Sequence, residues 1–401
     1  MKEYITLLKE EKVLRQLSVI QLISYFGAWF SNVAIYTLLI QMNVAASVVA
    51  FVAMLNFLAG VIQAPFSGPV IDRVSPKKLM LTLIVVEILA TVSLVFITQL
   101  SDLVFLYVLI FFKMAAASFY FTTEMSLLPK ILHGDKLRRS NELHSIIWSL
   151  SYTLGMAVSG FVVYWFGIKT AFLFDSFMFI VAFVLLYGTE IRIEILHIEE
   201  NIFAMIQETF VYLKGNPKAL HLMVLHSFVG LTAFDALVAL MVDEYYASII
   251  ATSLALGLLH SARAIGLVIG PIFIGKWINN KRLIYIFIAQ GLAVWLWAFV
   301  MHNFYLSLAA SVVVGFFTTT LWSYSYTLLQ KNIEKKYYGR IVAYNDMLFL
   351  SSAAFTSYMI GFFATHSFSL EAITVIMGSG FFIGAIYYKY VIQSQNIKEI
   401  S

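Results

Sequence analysis

The stretch ASVVAFVAMLNFLAGVIQAPF (46–66), SGPVIDRVSPKK (67–78), LMLTLIVVEILATVSLVFITQ (79–99) holds two apolar runs with one charge between them, Glu87, around a short basic turn. Each run has 21 residues, and at 1.5 Å rise about 20 residues cross a ~30 Å hydrocarbon core. Lipid offers the backbone no hydrogen-bond partners, so such runs have to be helices. Arg73, Lys77 and Lys78 mark the side on which the turn lies.

The pattern repeats along the whole chain. Of 401 residues, 61% are hydrophobic and 12% charged, against roughly 25% charged in an ordinary soluble domain. Apolar runs separated by turn and charge clusters predict spans near 16–40, 46–66, 79–99, 102–126, 141–165, 169–188, 218–241, 250–275, 282–301, 303–328, 341–365 and 370–391. The fold class is therefore an all-α polytopic membrane protein with 12 transmembrane helices. Of the 26 Lys and Arg, 23 fall in the N-terminal stretch and in alternate loops on its side. Of the rest, Lys169 is in an opposite loop, and Lys113 and Arg263 are within spans. This partition places both termini in the cytoplasm and fixes an even span count. The polar, basic start, Met1 to Arg15, reads as no removable signal peptide. The expected localisation is a bacterial-type plasma (inner) membrane.

Two bundles are expected, 1–188 and 218–401, joined by a linker at 189–217. In the linker Ile202, Phe203, Met205, Ile206, Phe210 and Leu213 recur at helical spacing beside Glu199, Glu200, Gln207, Glu208 and Lys214. That pattern predicts an amphipathic helix on the cytoplasmic membrane surface, or a simple tether. The bundles echo each other. Ser24, Gly27 and Asn32 precede Ser227, Gly230 and Asp235 by 203 residues, and other matches fall at offsets of about 201 to 207. Two pseudo-symmetric six-helix bundles form a transporter plan.

The turn Gly68-Pro69-Val70-Ile71-Asp72-Arg73-Val74-Ser75-Pro76-Lys77-Lys78 resembles the loop signature of the major facilitator superfamily, with Gly68, Asp72, Arg73 and Lys77 matching and Pro76 departing. The resemblance implies a cytoplasmic latch in which Asp72 is associated with the start of span eleven, after Gly339-Arg340, and Asp346 is an ion-pair partner for Arg73; a solvated hairpin is the alternative. Glu124, at the inner end of span four, reads as an end-of-helix or latch residue that meets Arg138 or Arg139. Gln21 to Asn32, Leu128-Pro129 with Asn141, Ala171 to Asp175, and Gln330 with Gly339-Arg340-Ile341-Val342 resemble the drug exporter branch that includes macrolide-efflux and enterobactin-exporter proteins. Lysophospholipid transporters share several of these motifs.

Ionisable groups at membrane depth cost at least ~2.5–3.5 kcal/mol, so each faces a cavity or a partner. Asp235, Arg263 and His260 lie in one membrane half and are expected to form a proton-coupling site or a static ion pair. Glu87 and Lys113, at comparable depth, form a second coupling candidate or a structural clasp. Asp175 reads as an end-of-helix or latch residue. Asn32 and the aromatic faces Tyr25, Trp29 and Tyr36, Trp148 and Tyr152, and Trp322 and Tyr326 are candidates to contact substrate. Lipid-facing packing is the alternative for each aromatic.

Other chemistries find no support. Cysteine is absent, which excludes disulfides, thiolate metal sites and thiol catalysis. Gly270-Pro271-Ile272-Phe273-Ile274-Gly275-Lys276 imitates a phosphate loop, but Trp277 follows it and the stretch is apolar. The histidines have no metal-site spacing, and the basic loops are topological. The expected protein has no cofactor, metal or nucleic acid and is not an enzyme. It is a monomer that exchanges a small amphipathic molecule for protons by alternating access, outward. A siderophore, metallophore or lysophospholipid cargo, or a non-transporting receptor or scaffold, is the alternative.

Overall fold

The computed structural model describes residues 2–191, 202–334, 337–394 and 397, without the side chains at 2, 68, 69, 72, 134, 135, 138, 202–206, 338 and 392–394. Among the described residues, twelve helices are long and apolar enough to cross a membrane. They are span one (Lys12–Gln41), two (Ala46–Ser67), three (Pro76–Phe96), four (Leu100–Ile131), five (Arg139–Phe166) and six (Ile168–Tyr187). Then follow seven (Pro217–Tyr246), eight (Thr252–Ile274), nine (Leu283–Val300), ten (Phe304–Asn332), eleven (Gly339–Thr365) and twelve (Leu370–Val391). Every span expected from hydropathy is present.

The turns show why the helices stop where they do. Asn43 after span one takes a left-handed φ of 51°, a conformation its short polar side chain tolerates. Gly167 between spans five and six, at φ 85°, needs a residue without a Cβ. Asn216 caps span seven by accepting from the Ala219 N–H at 3.2 Å, with Pro217 next to it. The helix of span two, in contrast, does not end at Gly68-Pro69. It continues to Arg73, and Pro76 opens span three, so the predicted turn shrinks to Val74 and Ser75.

The chain divides into two compact units: Met1–Val44, Ile62–Ile198 and Ile250–Ser261 form one, and Ala45–Val61, Glu199–Ile249 and Ala262–Ser401 the other. In the first, span one packs on spans five and six, and span three on spans four and six. A core of Leu14, Leu17, Ile20, Met80, Ile84, Leu127, Phe179 and Leu186 ties spans one, three, four and six together. In the second, span seven packs on spans ten, eleven and twelve, and span nine on spans ten and twelve. Spans one and seven are the most buried of the twelve.

Small residues let backbones meet, since lipid gives helices no hydrophobic reason to associate. Within the first unit, Gly160 lies against the Ser253 carbonyl and Gly257. Within the second, a Cβ on Gly266 would overlap the Val312 carbonyl oxygen, one on Gly270 that of Phe316, and one on Gly315 that of Arg263. Gly270, the false phosphate loop, is thus a packing point between spans eight and ten.

Span seven is discontinuous. An α-helix, Pro217–Ser227, passes into a 3₁₀ turn, Phe228–Thr232, then a second helix, Asp235–Met241, and a π turn, Val242–Tyr246. Between the helices the Phe234 N–H reaches the Thr232 carbonyl at 2.9 Å across Ala233 at φ −74°, ψ 74°, an inverse γ-turn.

The linker helix, Ile202–Gly215, is more than a tether. Glu208 accepts from Arg340 at 2.7 Å and from the Tyr337 hydroxyl at 3.2 Å. Tyr212 stacks on Tyr337 at 4.1 Å, and Phe210 meets Tyr344. Glu208, Phe210 and Tyr212 thus dock the helix on the start of span eleven, while Gln207 and Lys214 are exposed. The first residues of its apolar face, Ile202, Phe203, Met205 and Ile206, and the preceding Glu199 and Glu200, lie outside the described side chains.

A side chain forced between spans eight and ten must push backbone apart. Gly315→Val is expected to destabilise the protein by about 1–3 kcal/mol, read as a lowered thermal midpoint in detergent. Gly188→Ala, whose new Cβ would meet nothing closer than 3.6 Å, serves as the neutral control.

Candidate functional site

The most enclosed charges of the chain lie in the first unit. Span four carries Lys113 to span six, where its Nζ lies 2.5 Å from Asp175 Oδ2. Thr91 Oγ1 on span three takes a second ammonium hydrogen at 3.0 Å, and the Phe179 ring centroid is 5.3 Å away. Ser31 on span one donates to the same Asp175 oxygen. Gly27, one turn earlier, has no Cβ to collide with Met178 and Asp175. Lys113 and Asp175 are 5% and 0% exposed, and Glu87, 5% exposed, lies one turn before Thr91 on span three.

This corrects two expectations. Depth alone pairs Lys113 with Glu87, but the ammonium sits on Asp175, which is a central partner and not a helix-end residue. Thr91 and Ser31 are additions that the sequence reading lacks. Thr91 lies four residues after Glu87 and so shares its helix face, which is the one signal the sequence offers for it.

Beside this cluster, Trp29 of span one packs on Tyr152 at 4.5 Å and edge-on to Trp148 at 6.2 Å. Gly155 makes room, since a Cβ there would lie 2.7 Å from the Trp29 ring. Two polar atoms a turn apart, Trp29 Nε1 and Asn32 Oδ1, are buried with no hydrogen-bond partner, a donor and an acceptor of the kind a ligand satisfies. Tyr152 reaches His260 Nδ1 at 3.3 Å. Tyr25 stands edge-on to His144, which bonds to Gln21 and packs on Phe121. Tyr36 is fully buried.

The second unit has a counterpart. Trp322 and Tyr326 of span ten stack at 5.0 Å with planes 13° apart. His226 of span seven meets both edge-on, at 5.7 and 5.4 Å, and bonds Ser325 Oγ at 2.8 Å. Its Nε2 is buried without a partner. Spacing suited to a chelate is the usual sequence signal for a histidine; His226 lacks it because its surroundings are aromatic.

Arg263 and Asp235 do not form the expected pair. The Arg263 Nη2 donates to the Thr232 carbonyl at 2.8 Å, and its guanidinium carbon lies 5.2 Å from the Phe234 ring centroid. Asp235 opens the second helix of span seven and is half-buried.

Lys77 donates to the Tyr187 carbonyl at 2.8 Å and lies over its ring, a cation at the C-terminus of span six. Arg73 ends the span-two helix and is exposed. Arg340 is engaged by Glu208, and Asp346 accepts from Asn345 at 3.3 Å. Glu124 is buried and its Oε2 has no partner, while Arg139 meets Glu3 at 3.4 Å. Gly68, Asp72 and Arg138 lie outside the described side chains. Among the described residues, no group of three His, Asp or Glu could hold a metal ion.

Known proteins fit this architecture. The chain is 25% identical over 182 residues to "Uncharacterized MFS-type transporter YfiS" of Bacillus subtilis (strain 168), an alignment covering 45% of this chain and 43% of that protein. Thus it spans less than half the length of that relative. Three solved structures share its fold at low identity. A D-xylose-proton symporter has a TM-score of 0.75 at 10% identity, over 93% of this chain and 96% of the other. The nucleoside transporter NupG gives 0.69 at 11%, over 96% and 100%. An auto-inhibited peptide transporter of the POT family gives 0.76 at 10%, over 97% and 98%. Residues 17–242 and 222–399 each match the Major Facilitator Superfamily. With twelve spans and two matches that together take in nearly all of its length, this chain belongs to the Major Facilitator Superfamily, a family of secondary membrane transporters and not of enzymes.

Proposed function

We propose that the chain is a proton-coupled secondary exporter that carries a small amphipathic molecule across a bacterial plasma membrane by alternating access. The observation that carries this reading is the buried trio Glu87, Lys113 and Asp175. Two carboxylates and one ammonium leave one negative charge if all ionise. An uncompensated charge at that depth is too costly to keep. A bound proton removes it, and a proton held this way can be released when the surroundings of the trio change. The coupling role therefore moves from Asp235, Arg263 and His260 to Glu87 and Lys113, with Asp175 added.

The aromatic groups around Trp29 and Trp322 supply flat surfaces for an amphipathic cargo. Trp29 Nε1 and Asn32 Oδ1 offer it one donor and one acceptor. Outward direction follows the resemblance to the drug exporter branch, with both termini cytoplasmic, the 1–188 and 218–401 bundles as the two halves, and a monomer as the working unit. The second reading, a metallophore or lysophospholipid as cargo, is favoured by one feature, the guanidinium of Arg263 within a span.

Proteoliposomes with an imposed pH gradient test the coupling, using a panel of amphipathic dyes of either charge. The wild type is expected to show gradient-driven flux. Glu87→Gln, which removes the ionisable group and keeps its shape, should lose the response to the gradient while retaining exchange of dye for dye. An undiminished response in that variant overturns the assignment.

The ion pair makes a separate prediction about stability. Asp175→Asn removes the carboxylate that bonds the Lys113 ammonium and leaves Glu87, which makes no such bond, as the remaining counter-charge; this should cost up to about 3–5 kcal/mol, read as a lowered thermal midpoint. Lys113→Met combined with Asp175→Leu should recover most of that loss and still abolish proton-driven flux.

A further inference from the structure

Two basic residues lie deep within spans, and they are treated differently. Lys113 has a carboxylate at 2.5 Å. Arg263 lies midway along span eight, eleven residues from Thr252 and from Ile274, or about 16 Å from either end at the helical rise. Its contacts are a backbone carbonyl and a phenyl ring. Among the described residues, no carboxylate comes within 4.0 Å of its nitrogens. Neither contact neutralises the charge.

The place is distinctive as well. Thr232 and Phe234, which Arg263 touches, are in the break of span seven, and that break falls near the middle of Pro217–Tyr246. Irregular backbone at membrane depth persists where it lines a cavity or is buried in protein, and discontinuous helices recur at transport sites. Gly315 of span ten abuts the Arg263 backbone, so the residue is held in place from behind. Among the described residues only Nη2 is bonded, Nε is buried without a partner, and the side chain is half-buried. A residue needed only to cap the Thr232 carbonyl could be a neutral amide. A permanent cation with free donors in a planar fork suits a carboxylate, phosphate or sulfonate.

We infer that Arg263, at the break of span seven, is the anion-recognition residue of the cargo site, and that the cargo is an amphipathic anion. The acidic group of the cargo bonds the guanidinium, and the Phe234 ring beside it meets the adjoining apolar part. Arg263 thus determines specificity and does not carry protons. This deepens the transport reading and rests on it.

Two xanthene dyes with one aromatic frame and opposite charge separate the possibilities: carboxyfluorescein, an anion, and rhodamine 6G, a cation. Counterflow exchange of each is measured in proteoliposomes with equal pH on both sides, so the outcome does not depend on proton coupling. The wild type is expected to exchange carboxyfluorescein. Arg263→Gln, which keeps a donor for the Thr232 carbonyl, should lower that exchange about tenfold or more, as expected for a lost charge-assisted bond. Arg263→Lys should restore part of it. A thermal midpoint in detergent equal to that of the wild type in both variants reports an intact fold. Carboxyfluorescein exchange at the wild-type rate in Arg263→Gln overturns the inference, as does a wild type that exchanges rhodamine 6G and not carboxyfluorescein. If the proton reading alone fails, a pH gradient leaves all these rates unchanged while the dependence on Arg263 persists.

Discussion

Lys113 and Asp175 meet at 2.5 Å with almost no exposure, and this contact shows the constraint under which the chain is built. Hydrocarbon satisfies neither backbone polar groups nor charges. The first demand makes every span a helix. The second means that each ionisable side chain placed within a span has to be balanced by a neighbour, a proton or a cargo. Lys113 is balanced by Asp175 Oδ2, which also accepts from Ser31, and Thr91 takes a second ammonium hydrogen. That leaves Glu87 without a second cation, and it leaves Arg263 with no carboxylate among the described residues. The proposed proton and the proposed anionic cargo are the two remaining ways of meeting the same constraint.

The same solvent explains the packing. Where spans gain nothing from hiding apolar surface, they associate through close fit. Gly266, Gly270 and Gly315 bring spans eight and ten into backbone contact, and Gly155 admits the Trp29 ring between spans one and five. These contacts fix the positions of Arg263 and of the Trp29 group, so the packing glycines hold the candidate site residues as well as the fold.

Much of this is legible in the sequence. The spans are readable because hydropathy is a property of each segment by itself, and the sorting of basic residues checks the count. The in-span candidates Glu87, Lys113, Asp235 and Arg263 are readable because charge in an apolar run is conspicuous. Their partners are not. Whether Lys113 meets Glu87 or Asp175 depends on how spans three, four and six rotate against each other, and depth along the chain carries no such information. The break in span seven is also hidden, since Phe228 to Phe234 is apolar and contains one glycine, Gly230, which packs against Ser352 and Ala353. The turn after span two misleads in the opposite sense, because Gly68-Pro69 stops many helices and does not stop this one.

The central claim is that the trio of Glu87, Lys113 and Asp175 holds a proton that substrate transport releases and restores. Infrared difference spectroscopy of the protein in membranes tests it most directly, by following the carbonyl stretch of a protonated carboxyl group as pH is changed. The account predicts such a band at neutral pH that is lost on alkalinisation and is diminished in Glu87→Gln. A wild-type spectrum with no protonated carboxyl band, or a band unaltered in Glu87→Gln, would contradict it.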